Sequence, residues 1–412
     1  MSVDVMTFGC RLNAVDGETI HAHARAGGAE NLVVVNSCAV TAEAVRQARQ
    51  AVRRARRERP EAEIVVTGCA AQIEPDRFAA MPEVSRVVGA GAKTRPDSWI
   101  PGGARTRIEV GDVFAAHEIA TRPRDAKILL PRAFVQIQTG CDHRCTFCVI
   151  PFGRGASRST PAEAVVAEVR RVVELGAGEA VLTGVDLTSW GADLPGEPRL
   201  GDLVRAVLAG VPELRRLRLS SLDAVEVDDG VLRLLAEEER LAPHLHLSLQ
   251  SGDDMILKRM KRRHSRADAV RFCETARRLR PDIAFGADLI AGFPTETEAM
   301  FGNSLAALEE CGIAYVHVFP YSARPGTPAA RMPQLPQAIV KARAAALRER
   351  GAALLSDHLA RQVGQSRRVL AEGGQIARAA DFSAVRLTRE AQRGAFLDVR
   401  IAGHDGKALI AA

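Results

Sequence analysis

A chain of 412 residues, 47% of them hydrophobic, is long enough for two or three domains with sizeable cores, and no apolar run in it approaches bilayer length, so no membrane partner is expected. The net charge of +6 is too small to mark the whole surface as a polyanion binder, so the distribution of charge has to decide that question. Eight cysteines and no charged-then-apolar leader at the N-terminus suggest a reducing, cytoplasmic setting, in which thiols serve metals and not disulfides.

Three short β-branched runs open the chain: Val3 to Thr7, Leu32 to Val35 and Ile64 to Val66, with helical spacing between them. The order is therefore βαβαβ, and right-handed crossovers make such strands parallel. A residue just past each strand then lies on one edge of the sheet, where open α/β sheets bind ligands. Cys10, Cys38 and Cys69 occupy that position after the three runs. Separate buried structural thiols are the plain alternative, but they leave the repeated position unexplained, whereas a shared three-thiolate cluster accounts for it. Between the second and third cysteines, Val45, Ala48, Val52 and Ala55 recur at helical spacing, with Arg46, Arg49, Arg53, Arg54, Arg56, Arg57 and Arg59 around them. A further apolar stretch, Val84 to Val88, closes this unit near Lys93, and Thr94 to Ala126 reads as linker, which sets an N-terminal domain at residues 1–105.

The next pattern is the most specific in the chain. Cys141, Cys145 and Cys148 are separated by three and then two residues. Thiolates are the usual ligands of iron–sulfur clusters, and three of them on a four-iron cubane leave one iron open to a non-protein ligand such as S-adenosylmethionine. An electron passed into the sulfonium would release a deoxyadenosyl radical, chemistry that the cofactor carries and the protein positions. A zinc site or a disulfide pair is the alternative, although zinc usually takes a fourth ligand from a second two-cysteine knuckle. Cys273 and Cys311 fall in helical patterns and read as packing residues.

From Arg132, strand and helix alternate: Phe134 to Gln138, Ala180 to Thr183, Leu217 to Ser220, His244 to Leu249, Ile283 to Ile290 and Tyr315 to Phe319 are six strands, which predicts a (β/α)6 partial barrel over residues 127–355. Chemistry in such barrels sits at the carboxyl ends of the strands. Gly184, Asp186, Ser220 and Gln250 stand there and are candidates for cofactor contacts. His244 and His246 alternate on one strand face and read as packed or hydrogen-bonded side chains. A second basic group, Lys258, Arg259, Lys261, Arg262 and Arg263, precedes a helix. After a long Ala- and Arg-rich helix, short alternating strands at Val369 to Ala371, Ala384 to Leu387 and Phe396 to Ile401 make a small β domain over 359–412, with nine Lys or Arg against five Asp or Glu. Each basic face alone is as readily an ordinary solvated surface. Together they favour an RNA bound through phosphates and shape, since two Trp and two Tyr provide no extensive stacking platform.

These residues resemble the methylthiotransferase family of radical S-adenosylmethionine enzymes along nearly the whole chain. The resemblance is carried by Gly9-Cys10-Arg11-Leu12-Asn13, Asn36-Ser37-Cys38, Thr67-Gly68-Cys69, Gly140 to Cys148, Arg154 to Ser159, Leu247 to Gly252 and Gly292 to Thr297. It implies an α/β protein with an N-terminal parallel α/β cluster domain, a radical core, and a C-terminal RNA-binding β domain of the TRAM type. It also implies two 4Fe-4S clusters: a radical cluster on the catalytic Cys141, Cys145 and Cys148, and an auxiliary, sulfur-delivering cluster on Cys10, Cys38 and Cys69. One S-adenosylmethionine would give the methyl group and another the radical. Cys38 to Thr41, the arginine-rich helix and His317 to Ser322 look most like the branch that adds a methylthio group at carbon 2 of N6-threonylcarbamoyladenosine beside the tRNA anticodon. The same chemistry on isopentenyladenosine tRNA or on a ribosomal-protein aspartate, and a non-catalytic iron–sulfur RNA-binding redox sensor, are the competing readings. The implied partners are the anticodon loop of tRNA and an electron donor such as flavodoxin or ferredoxin, with the sulfur donor unidentified. Two features depart from the family pattern, a short closing β domain and Phe152 where relatives often carry Tyr.

Overall fold

A computed structural model describes residues 3–101, 106–115, 119, 123 and 131–412. The expected domain limits at 105 and 127 lie outside the described residues. The chain divides into two compact units, one of Met1–Ile128, Gln138–Thr160 and Ser322–Thr327, the other of Leu129–Ile137, Pro161–Tyr321 and Pro328–Ala412. The three-cysteine loop, expected as part of the barrel domain, thus packs with the N-terminal unit, because short contacts described below tie it there.

The first unit is a parallel sheet in the order β1 (Val3–Thr7), β2 (Leu32–Ser37), β3 (Glu63–Gly68), β4 (Arg86–Val88), β5 (Ile108–Glu109). Its helices are α1 (Arg11–Ala26), α2 (Ala42–Glu58), α3 (Cys69–Ile73), α4 (Pro75–Ala79) and α5 (Ile150–Arg154). Strand β5 falls inside the stretch read as linker; two residues are too short a run to show a period, and the pairing of Ile108 with Val87 supplies what local sequence lacks. Thr41 caps α2 by accepting from the Ala44 amide at 3.1 Å, and Val45, Ala48, Val52 and Ala55 are buried against Val33, Val35, Ile64 and Val66. The polar face of α2 is not a uniform cationic stripe. Arg56 donates to the carbonyls of Ala62 at 3.0 Å and Glu83 at 2.9 Å, and Arg59 lies past the helix, donating to Asp4 and Asn31. Arg46, Arg53, Arg54 and Arg57 are exposed. The short pair β7 (Gln138–Thr139) and β8 (Arg158–Ser159) brackets the three-cysteine loop.

The second unit contains the expected (β/α)6 arrangement. Strands β6 (Arg132–Gln136), β9 (Glu179–Thr183), β10 (Leu217–Leu219) with its continuation β11 (Ser221–Leu222), β12 (His244–Gln250), β13 (Ala284–Ala291) and β14 (Ile313–Pro320) pair in parallel in two sheets. A parallel bridge from Leu217 to Leu241 connects them. The helices are α6 (Ala162–Glu174), α7 (Leu200–Gly210), α8 (Asp229–Glu237), α9 (Asp254–Arg259), α10 (Arg266–Leu279), α11 (Glu298–Glu310) and α12 (Gln337–Ala360). Leu245, Leu247 and Leu249 are fully buried, Phe285 meets Arg277 of α10, and Gly351 admits α12 against Val316. The alternate residues on these strands therefore face the inside of the curved sheet.

The C-terminal β domain is a closed five-stranded barrel, β15 (Ser366–Gly373), β16 (Ile376–Ala379), β17 (Ala384–Arg386), β18 (Phe396–His404) and β19 (Leu409–Ala411), two strands more than the sequence pattern shows. Its β16–β17 turn closes the end where the core strands begin. Phe382 stacks on His244 with centroids 4.9 Å apart, and the Arg378, Arg218 and Arg132 guanidinium carbons lie 4.6, 5.2 and 5.5 Å from its ring centroid. Beneath that ring Glu179, fully buried, accepts from Arg218 at 2.7 Å and Arg216 at 3.3 Å. Burial alone would raise the Glu179 carboxyl, but these cations bring it down to about 2.

Candidate cluster and cofactor sites

Strand register brings the first cysteine trio together. Thr7, Asn36 and Thr67 form one row across β1, β2 and β3, and the cysteines follow two or three residues later. Strands lie about 4.8 Å apart, so the three positions span roughly 10 Å before the loops curl inward. Gly9 shows how tight the approach is: with φ of +90°, it sits where a Cβ would come within 2.6 Å of the Cys38 Sγ. Cys38 and Cys69 are buried and Cys10 is exposed. Burial pushes the Cys38 thiol up to about 12, and the nearby Cys69 and Cys10 add to that rise. A buried thiol crowded by two others stays protonated in bare protein, whereas a cation or cluster binding all three would stabilise the thiolates.

Arg154 is the charge that sequence reading left out of this group. It is buried and donates to Asn13 Oδ1 at 2.7 Å, Asp16 Oδ2 at 2.9 Å and Thr139 Oγ1 at 3.3 Å. Burial disfavours its charge, but Cys69, Asp16 and Cys10 together raise its pKa. Asp16 also holds Lys93 at 2.6 Å. Burial acts to raise the Asp16 carboxyl, and the two cations leave it below its ordinary range. The residues of this network are up to 141 positions apart, so no local pattern announces it.

The second trio lies in a loop with little regular structure. Cys141 donates its amide to Gly155 O at 3.1 Å, Cys148 donates its amide to Cys145 O at 3.1 Å, and the Ile150 amide donates to Cys148 Sγ at 3.4 Å. That last bond is the kind that steadies a thiolate ligand. Helix α5, directly after the loop, lies on α3: a Cβ on Gly153 would come within 3.0 Å of the Cys69 Cβ. The loop bearing one trio and the helix bearing Cys69 are thus neighbours in a single unit. His143, inside the loop, is half-buried.

At the strand ends of the second unit, Ser220 is 5% exposed and its Oγ has no hydrogen-bond partner among the described residues, an acceptor and donor set for a ligand. It interrupts β10 and β11. Gln250 ends β12 at a φ of +64°, which turns the chain at the mouth. Gly184 directly follows β9, and two residues on Asp186 accepts from Ser189 Oγ at 2.7 Å and Thr188 Oγ1 at 3.1 Å, so part of its carboxylate holds its own turn. Of the second basic group, Arg262 pairs with Asp223, Arg263 with Glu226 at 2.6 Å, and Arg259 donates to Thr295 Oγ1 at 2.8 Å. Arg259 and Arg262 are half-buried ties within the fold, Arg263 makes its pair at the exposed surface, and only Lys258 and Lys261 lie exposed without such ties described. Cys273 and Cys311 are free thiols, fully buried and hydrogen-bonded to each other, in keeping with packing roles.

Comparison with known proteins groups the three-cysteine loop with the barrel strands instead. Residues 135–308 match the radical SAM superfamily, and residues 2–89 match a family described as uncharacterized protein family UPF0004. Threonylcarbamoyladenosine tRNA methylthiotransferase MtaB of Rickettsia prowazekii is 46% identical over 97% of this chain and 94% of its own length. The chain belongs to the MtaB-type methylthiotransferase family of radical S-adenosylmethionine proteins. Methylthiotransferases related more distantly include MtaB of Aquifex aeolicus, 36% identical over 85% of this chain and 87% of its own length, and tRNA-2-methylthio-N(6)-dimethylallyladenosine synthase of Erythrobacter litoralis, 38% identical over 82% of this chain and 79% of its own. A radical S-adenosylmethionine methyltransferase, TsrM from Kitasatospora setae, shares the fold with a TM-score of 0.51 at 16% identity, covering 76% of this chain and 66% of that one. As a methylthiotransferase, this chain uses S-adenosylmethionine and two 4Fe-4S clusters.

Proposed function

We propose that the chain is a tRNA methylthiotransferase that converts N6-threonylcarbamoyladenosine next to the anticodon to its 2-methylthio derivative. The observation that carries this reading is the end-to-end likeness to MtaB together with two cysteine trios gathered in one compact unit. Cys141, Cys145 and Cys148 hold the radical cluster, and Cys10, Cys38 and Cys69 hold the auxiliary one. When bound, these groups and S-adenosylmethionine supply the electron, the radical, the sulfur and the methyl group, which suits an aromatic C–H bond that offers no easy ionic route to substitution. The protein's own part is to hold and shield. Arg154 offsets thiolate charge beside Cys10 and Cys69, and the Ile150 amide does so at Cys148. Ser220, Gly184, Asp186 and Gln250 contact S-adenosylmethionine, Ser220 through its unpartnered hydroxyl. The exposed arginines of α2 contribute phosphate contacts. The reducing equivalent comes from a small electron carrier of the flavodoxin or ferredoxin class, in the cytoplasm; no helix among the described residues is long and apolar enough to cross a membrane. Nucleoside analysis of tRNA from a strain lacking this chain tests the reading: 2-methylthio-threonylcarbamoyladenosine is expected to vanish while its unthiolated precursor accumulates, and an unchanged level would reject it.

A further inference from the structure

Inside the curved sheet of the second unit, three polar side chains converge. Asp288 of β13 is paired in register with His317 of β14, and Gly286 with His246 of β12. His246 Nε2 donates to Asp288 Oδ1 at 2.8 Å, and His317 Nδ1 lies 3.3 Å from the same oxygen, the two rings being 4.7 Å apart. Glycine at 286 makes this possible, because a Cβ there would lie 2.3 Å from His246 Nδ1. The floor below is sealed by His244, Tyr315 and Phe382. His246 stands four residues before Gln250, about 13 Å below the mouth at the usual rise per residue. The His317 side chain remains 57% exposed, so the cluster is reached from solvent and is not a closed core network. One step nearer the mouth on the same face, Ile290 and Phe319 pair in register and offer an apolar wall.

We propose that His246, Asp288 and His317 form the subsite for the N6 substituent of the adenosine, selecting one that carries hydrogen-bonding groups, a hydroxy-amino-acid joined through a urea, over an alkenyl one. This deepens the proposed function and rests on it. His317 contacts the substituent through its Nε2, while Asp288 and His246 are positioning residues: one carboxylate oxygen fixes both imidazoles. Phe319 and Ile290 flank the purine. The apolar wall followed by a polar floor matches a flat base with a polar tail. An isopentenyl group in the same place would cover the imidazoles without pairing them, and a site built to hydrogen-bond its ligand rejects an analogue that lacks the groups. A divalent cation is the other ligand that two imidazoles and a carboxylate take. The 2.8 Å contact and the shared oxygen fit direct hydrogen bonding better, since metal ligands surround a centre and do not converge on one another.

The test measures binding of anticodon stem-loop RNAs that differ only at N6, bearing threonylcarbamoyl, isopentenyl or hydrogen, to the protein with both clusters reconstituted. The wild-type chain is expected to bind the threonylcarbamoyl RNA about tenfold more tightly than the isopentenyl RNA. His317→Leu, at an exposed position, is expected to bring the two affinities together, and Asp288→Asn to give an intermediate result. Equal binding by the wild type, or discrimination retained in His317→Leu, overturns the subsite. Discrimination that disappears with a chelator and returns with Zn2+ overturns it in favour of a cation site. Methylthio product is measured alongside: discrimination without product removes the proposed reaction and leaves the subsite standing.

Discussion

A buried charge matters most where water cannot screen it, and Arg154 is such a residue. It faces Asp16 and Asn13 on one side and the charge of Cys69 and Cys10 on the other. A cation beside a cluster favours the added electron. Replacing it as Arg154→Gln is expected to lower the midpoint potential of the auxiliary cluster, on the order of 100 mV for one charge at an effective dielectric near 20, read by potentiometric electron paramagnetic resonance, with the radical cluster shifted less. Glu179 makes a different residue-scale prediction. Its folded pKa is depressed from 4.5 to about 2, so its ion pairs stabilise fully above pH 4.5 and that stability is lost as pH falls through 2. The linkage amounts to about 3 kcal/mol. Glu179→Gln leaves Arg218 and Arg216 without their carboxylate, and its destabilisation by about 3 kcal/mol at pH 7 is expected to shrink steadily between pH 5 and pH 2 in denaturant titrations.

At the scale of elements, the β16–β17 turn is more than a connection. Phe382 adopts a φ of +77°, a conformation that a bulky residue takes only when its surroundings hold it there. The ring fills the space between His244, Tyr315 and three arginines. Phe382→Ala would relieve the strained φ only slightly and lose the ring contacts, so a cost of about 3 kcal/mol is expected, seen as a lower thermal midpoint. An unchanged midpoint would show that the small barrel does not brace the core. The apolar pattern bounds β1 correctly, and β2, β3, β9 and β12 to within two residues, each a strand of at least five residues. It misses β5, β16 and β19, which run only two to four residues, too few to show a period.

At the scale of the whole molecule, the proposed assignment of one cluster to each trio predicts that the two are separable. Replacing Cys10, Cys38 and Cys69 together by alanine is expected to leave about four irons per chain out of about eight, and the same change at Cys141, Cys145 and Cys148 to leave the complementary half. In the first variant, S-adenosylmethionine cleavage persists without methylthio transfer; in the second it stops. Iron and sulfide analysis with product chromatography reads both outcomes, and loss of all iron from either variant would mean a single shared cluster.

The position of Cys10, Cys38 and Cys69 past the strands was decided by sequence alone, because parallel strands put their ends on one edge whatever the packing. So were the six βα repeats, since periodicity is local. The tertiary structure decided which charges face those thiols, which arginines are spent inside the fold, and that His246, Asp288 and His317 share an oxygen. Such meetings depend on strand register and on close approaches such as Gly286 to His246, and neither leaves a mark in neighbouring residues.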